Sequence, residues 1–250
     1  MSAALVTGAG TRLGRAMALG LAEAGFDIAV HYNASETDAR EVASLIVKKG
    51  RRAGLVKADL SKESETADLI AAAAKAVGPL TLLVNNASRF DQDTIETMTR
   101  ESWDAHIETN LRAPLKLAQD FAAQTAPSAD NLIVNLLDQR VLKLTPQFLT
   151  YTVSKAALHT LTVTLAQALG PRGIRVNAIG PGPTLRNARQ SEDDWEKQNA
   201  ATVLGHGAAP QDIVDALLYL VRARSVTGQM IAVDGGQHLV WRTADVMVKE

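Results

Sequence analysis

Val6-Thr7-Gly8-Ala9-Gly10-Thr11-Arg12-Leu13-Gly14 is the stretch that decides the fold. The apolar run Ala3-Ala4-Leu5-Val6 enters it, and a segment with apolar residues at helical spacing, 13–24, leaves it. Glycines between a strand and a helix meet two steric needs: Gly8 permits the tight turn, and Gly14 permits close packing of the helix on that turn. The first N–H groups of such a helix point outward at the positive end of the helix dipole, where a pyrophosphate is stabilised. A glycine-rich turn can also be merely structural, so the rest of the chain must decide between the two.

Working outward, short apolar runs at 3–6, 27–31, 53–56, 81–84, 131–135, 174–178 and 229–233 read as seven strands. Helix-length segments separate them, among them 13–24, 36–48, 62–77 and 211–221, with Gly25, Gly50 and Gly78 where a helix must stop. Alternation of strands and helices implies right-handed crossovers. The expected fold is therefore α/β: a Rossmann-type, doubly wound, seven-stranded parallel sheet with helices on both faces. No proline- or serine-rich linker divides the chain, so residues 1–250 are expected to form one domain. The least regular stretch, from Gly180 to Gly207, contains Pro181, Pro183 and a polar run at 189–199, and residues 183–207 read as a substrate lid rather than a plain surface helix.

Composition narrows the partner. Hydrophobic residues make up 46% of the 250 but aromatics only 4%, which suits helices packed closely on a parallel sheet. A formal net charge of -1 without a basic block argues against nucleic acid or a membrane surface, leaving a small molecule as the expected partner. The chain has no cysteine, and its five histidines show no paired ligand spacing, so no metal site is expected. The most apolar stretch, 69–84, is broken by Lys75, Gly78 and Pro79, short of the roughly 20 apolar residues needed to span a bilayer. Met1 runs almost directly into the first strand, and a cytoplasmic protein is expected.

The second strand ends in His31-Tyr32-Asn33-Ala34-Ser35, with no acid to hold a ribose diol. Arg12, Asn33 and Ser35 offer a charge and hydrogen-bond donors instead, which favours NADP (NADPH) with its 2′-phosphate over NAD. Asp59-Leu60, at the end of the third strand, fits a contact to the adenine. Tyr151 and Lys155 stand four residues apart at the start of an apolar helix and so share one face. A nearby ammonium is expected to lower the phenol pKa and make Tyr151 a usable proton donor.

On these residues the whole chain, from Thr7 to Val233-Asp234-Gly235-Gly236, resembles the short-chain dehydrogenase/reductase family. Five motifs match in order: the Thr-Gly turn, Asn85-Asn86-Ala87, Asn110, Tyr151 with Lys155, and the segment from Asn177 to Gly182. The resemblance implies hydride transfer to or from NAD(P), with Asn110 supporting a water beside Lys155 and Pro181-Gly182 lying near the nicotinamide. It also implies a homotetramer assembled through helices around 103–124 and 151–169. Two departures sharpen it: Arg12 replaces the middle glycine of the turn, and Asp138 replaces the catalytic serine thirteen residues before the tyrosine. Both look like the pteridine reductases and dihydromonapterin reductases, as do His31-Tyr32, Gly180-Pro181-Gly182 and the run Asn86-Ala87-Ser88-Arg89-Phe90. Ala34 departs from that pattern, in which an arginine often grips the 2′-phosphate.

The chemistry agrees. A serine hydroxyl suits a ketone oxygen, whereas a carboxyl can exchange a proton with the basic nitrogen of a pterin imine. Phe90 would stack on a flat heterocycle, with Ser88 and Arg12 at its polar edge. The expected activity is NADPH-dependent reduction of a dihydropterin such as dihydromonapterin, dihydrobiopterin or dihydrofolate. The alternatives are reduction of a carbonyl compound (an oxoacyl thioester, a sugar or another ketone) and a catalytically silent protein that senses NADP. The tail beyond Gly236, with Trp241 and Arg242, is long enough to reach a neighbouring subunit.

Overall fold

A computed structural model describes residues 2–125, 130–187, 189–243 and 247. Seven strands, β1 (Ala3–Val6), β2 (Asp27–Tyr32), β3 (Ala53–Lys57), β4 (Leu82–Asn85), β5 (Asn131–Leu136), β6 (Ile174–Pro181) and β7 (Met230–Val233), form one sheet in the order β3-β2-β1-β4-β5-β6-β7. Every pairing is parallel. The helices are α1 (Arg12–Glu23), α2 (Glu36–Lys48), α3 (Glu63–Thr66), α4 (Leu69–Val77), α5 (Arg100–Ile107), α6 (Ala113–Gln124), α7 (Leu149–Leu169), α8 (Glu192–Ala200) and α9 (Pro210–Arg222).

Alternate residues of each strand enter different cores. Ala4 and Val6 of β1 pack with Met17 and Leu21 of α1, Val42 of α2 and Leu217 of α9. Ala3 and Leu5 pack with Leu69 and Ala73 of α4, Phe121 of α6 and Leu169 of α7. A strand buried on both faces has no polar alternation, which is why Ala-Ala-Leu-Val reads as a plain apolar run. Strand order reverses between β1 and β4, and at such a switch point the loops after the strands diverge to leave a crevice.

Two helices differ from the sequence reading. The segment expected as one helix over 62–77 is two, α3 and α4, because Asp68 flattens to ψ -7 between them. The helix expected around 103–124 begins at Arg100 and is interrupted by a π-helical turn, Glu108–Arg112, before α6. Pro114 supplies a physical reason: it has no N–H to donate to the carbonyl four residues back, that of Asn110. Among the described residues no helix is long and apolar enough to cross a membrane, and no group of three His, Asp or Glu is placed to hold a metal.

Candidate active site

The glycine turn is locked from two sides. Gly8 sits at φ 62, a left-handed conformation that glycine adopts without steric penalty, and a Cβ on Gly14 would lie 2.0 Å from the Gly8 carbonyl oxygen. From β4, the amides of Asn86 and Ala87 both donate to Thr7 Oγ1 at 2.9 Å, and Asn86 Nδ2 donates to the Thr7 carbonyl at 2.8 Å. From β2, His31 Nδ1 accepts the Gly8 N–H at 2.9 Å while its Nε2 lies 3.1 Å from the Ala58 carbonyl. That pair fixes the neutral tautomer with the proton on Nε2, and burial lowers the imidazole pKa to about 4. His31, expected to touch the cofactor, borders the cleft but is 2% exposed and acts mainly as a buried pin behind the turn. The N-cap of α1, Thr11, makes no side-chain cap and the first turn carries no acid, leaving the helix start open to an anion.

Leu13 and Gly14 open onto a cleft of roughly 1260 Å³, which also takes in Asn33, Ser35, Asp59, Asn86, Ala87, Pro181 and Gly182. The volume, the uncapped helix start and the absence of an acid at 31–35 fit a phosphorylated dinucleotide. Ser35 leaves its hydroxyl uncommitted as a helix cap. Asp59 also lines this end, but Ser61 holds its carboxylate through N–H and hydroxyl, and with Asn33 keeps the pKa low. Tyr32 and Leu60 border the cleft with side chains 7% and 6% exposed, both packed into the core, so only their edges and backbone face it.

Arg12 holds φ 49, a region L-residues rarely enter, and its guanidinium donates to the carbonyls of Leu185 and Arg186 at 2.9 and 3.0 Å. It therefore straps the glycine turn to the loop after β6. This departs from the expected place beside Ser88, whose hydroxyl donates to Asn110 Oδ1 at 3.1 Å.

At the other end α7 brings Tyr151 and Lys155 to one face, as their spacing requires. Tyr151 donates to Asp138 Oδ2 at 2.9 Å, and the other carboxylate oxygen accepts the Arg140 N–H at 2.8 Å. Lys155 donates to the Leu136 carbonyl at 2.7 Å. The phenol is not acidified as expected: burial, then the charge and hydrogen bond of Asp138, push its pKa well above the ordinary value. Burial lowers the Lys155 pKa to about 8, against the pull of Asp138. Tyr151 consequently stores its proton.

The carboxamide of Asn110 is fully engaged. Its oxygen accepts from Arg89 N at 2.7 Å and from Ser88, and its nitrogen donates to Arg89 O and Ser154 Oγ, each at 3.0 Å. The side chain thus fixes the 88–90 segment and has no free hydrogen of its own for a water. The backbone carbonyl of Asn110, to which Pro114 has no N–H to donate, is the group that remains for that role. Phe90 lies edge-on to Tyr151 with centroids 4.6 Å apart, and its flat face is covered by Phe148 at 4.4 Å and 6°.

Several residues that no sequence motif singles out also line or back the site. Phe148, one turn before Tyr151, and Arg140, two after Asp138, line the cleft, as does Trp195 on α8 within the expected lid. A buried network lies behind Tyr151. His106 Nε2 accepts the Asp91 N–H at 3.1 Å, Nδ1 meets Thr150 Oγ1 at 2.7 Å, and Thr150 donates onward to Asp93. The signal for Phe148 and Arg140 was proximity to motif residues; Asp93 and His106 carry none. Of the tail, the Val240 carbonyl accepts from Lys143 at 3.2 Å and Trp241 is exposed.

A doubly wound parallel sheet with a dinucleotide-sized cleft at its switch point, floored by a Tyr-Lys pair, defines a nicotinamide-dinucleotide oxidoreductase. Residues 8–238 match the family model described as enoyl-(acyl carrier protein) reductase, and the chain belongs to the short-chain dehydrogenase/reductase family. Among solved structures it is similar to the FolM alternative dihydrofolate reductase 1 of Brucella canis complexed with NADP. The two share 44% identity over 98% of this chain and 97% of that one, at a TM-score of 0.94. An angucycline C-6 ketoreductase, LanV, with bound NADP is 32% identical over 95% of this chain and 96% of that one, at a TM-score of 0.89. Among characterised sequences, the 3-oxoacyl-[acyl-carrier-protein] reductase FabG of Staphylococcus epidermidis is 32% identical over 94% of this chain and 98% of that protein.

Proposed function

We propose that this chain is an NADPH-dependent reductase of a dihydropterin. The observation that carries the reading is the hydrogen bond from Tyr151 to Asp138, a carboxylate where a carbonyl reductase of this architecture has a serine. NADPH, when bound, supplies the hydride. The chain's part is to bring a proton to the nitrogen of the C=N bond. Tyr151 holds that proton against ionisation, and Asp138, within 2.9 Å, passes it on to a basic ring nitrogen. Lys155, charged at neutral pH, holds the nicotinamide ribose and balances the carboxylate. Gly8, Arg12 and Gly14 receive the pyrophosphate, Asn33 and Ser35 the 2′-phosphate, and Asn86, Ala87, Pro181 and Gly182 line the way to the nicotinamide. The edge of Phe90, with Ser88, borders the end of the cleft where the heterocycle binds, and residues 183–207, with α8, close over it as a lid on one domain. The 44% identity to a protein named a dihydrofolate reductase supports this reading.

Steady-state assay of NADPH with dihydromonapterin, dihydrobiopterin and dihydrofolate tests it, and brisk ketone turnover without turnover of any dihydropterin sinks it. Similarity to FabG and LanV favours carbonyl reduction as the second reading. Asp138→Ser separates the two: pterin reduction falls by about 100-fold or more, the scale of losing a positioned acid, while ketone reduction survives. We place the protein in the cytoplasm as a homotetramer. The exposure of Trp103 on α5 and of Val153 and Val163 on α7, each above a third, supports assembly through those helices, and the mass from light scattering reads it.

A further inference from the structure

Resting on the pterin reading, we infer that Arg140 is a specificity residue, taking up an anionic, carboxylate-bearing substituent of the substrate. Among the cations that line the cleft, Arg89 and Arg189 share the single carboxylate of Asp91. Arg12 is taken up by two carbonyls and Lys155 by a third. Arg140 differs. Among the described residues it has no carboxylate within ion-pair distance, its side-chain hydrogen bond goes to the neutral hydroxyl of Thr145, and its Nε is buried with no partner at all. An unmet buried donor on a charged side chain is unfavourable in the free protein, and a fork of planar donors is what a carboxylate meets best.

The position is also fixed. Asp138 binds the Arg140 N–H at 2.8 Å, tying the guanidinium's base to the proton-handling carboxylate. The guanidinium carbon stands 5.2 Å from the centroid of Phe148, which in turn stacks on Phe90. A flat ring lodged beside this stack, in the cleft that Phe90, Phe148 and Arg140 all line, would direct a substituent that leaves past Phe148 toward Arg140. The loop from Gln139 to Phe148 carries Arg140 and Lys143 and no acid, so nothing on it repels such a group.

Dihydrofolate, with its glutamyl carboxylates, and dihydrobiopterin, with an uncharged side chain, separate this inference from the pterin reading itself. In Arg140→Gln, kcat/KM for dihydrofolate falls at least about ten-fold further than that for dihydrobiopterin, chiefly through KM, as loss of a charged hydrogen bond requires. Arg140→Lys restores part of the difference, and the wild-type KM for dihydrofolate rises with ionic strength. Equal losses on both substrates, or no loss on dihydrofolate, overturn it. If the wild type reduces neither, the pterin reading fails, and equilibrium binding to the NADP-loaded protein decides for Arg140. Dihydrofolate binding weakened in Arg140→Gln upholds it; undiminished or absent binding overturns it.

Discussion

Tyr151 and Lys155 are separated by one helical turn, but their surroundings act on them in opposite senses. Burial raises the phenol and lowers the ammonium, so at neutral pH both are protonated, and the first to lose its proton as pH rises is Lys155, at about 8. An activity profile of the free enzyme therefore has its alkaline limb from the lysine. kcat/KM is expected to hold level below pH 8 and to fall about ten-fold per unit well above it, with no separate tyrosine limb in that range. An alkaline limb starting only near pH 10 would contradict this assignment. The pairing of these residues was legible in the sequence, because spacing fixes a helix face. The sign of the tyrosine's shift was not, because it depends on a carboxylate thirteen residues away and on burial, which spacing does not encode.

At the level of elements, the end of β2 and the glycine turn form one unit joined through His31. The imidazole is neutral when folded, with a pKa of about 4 against 6.5 in an open chain. Between those values the unfolded chain binds more protons than the folded one. Stability is thus full above pH 6.5 and declines as pH falls toward 4, by about 3 kcal/mol in all, with no further loss from this group below that. Urea unfolding at pH 7 and at pH 4.5 checks it: His31→Gln should lower stability at pH 7 and flatten the difference between the two. A slope unchanged in the variant would mean that other groups govern the acid transition. The five inner strands were legible because burial on two faces leaves unbroken apolar runs, and the stops at Gly25, Gly50 and Gly78 marked the helix ends. The π turn at 108–112 was not, although Pro114 was in plain sight, since a proline near a helix start normally signals a beginning rather than a local widening.

Across the whole molecule, the crevice followed from strand order and needed no side-chain detail, whereas its furnishing came from distant segments. Asn110 closes on Arg89, Asp93 on Thr150 and Arg12 on Leu185, contacts between residues 21 to 173 positions apart that no local pattern announces. The last of these has a kinetic consequence. A strap from the glycine turn to the loop after β6 must open for a dinucleotide to leave, and lid opening or product release limits turnover in many enzymes. Exit of the spent cofactor is expected to set the pace here. Rapid mixing of enzyme and NADPH with substrate should show one fast oxidation per active site followed by a slower steady phase, and Arg12→Gly should erase the fast first turnover as a distinct phase. A wild type that proceeds at its steady rate from the start would show that the strap imposes no such delay.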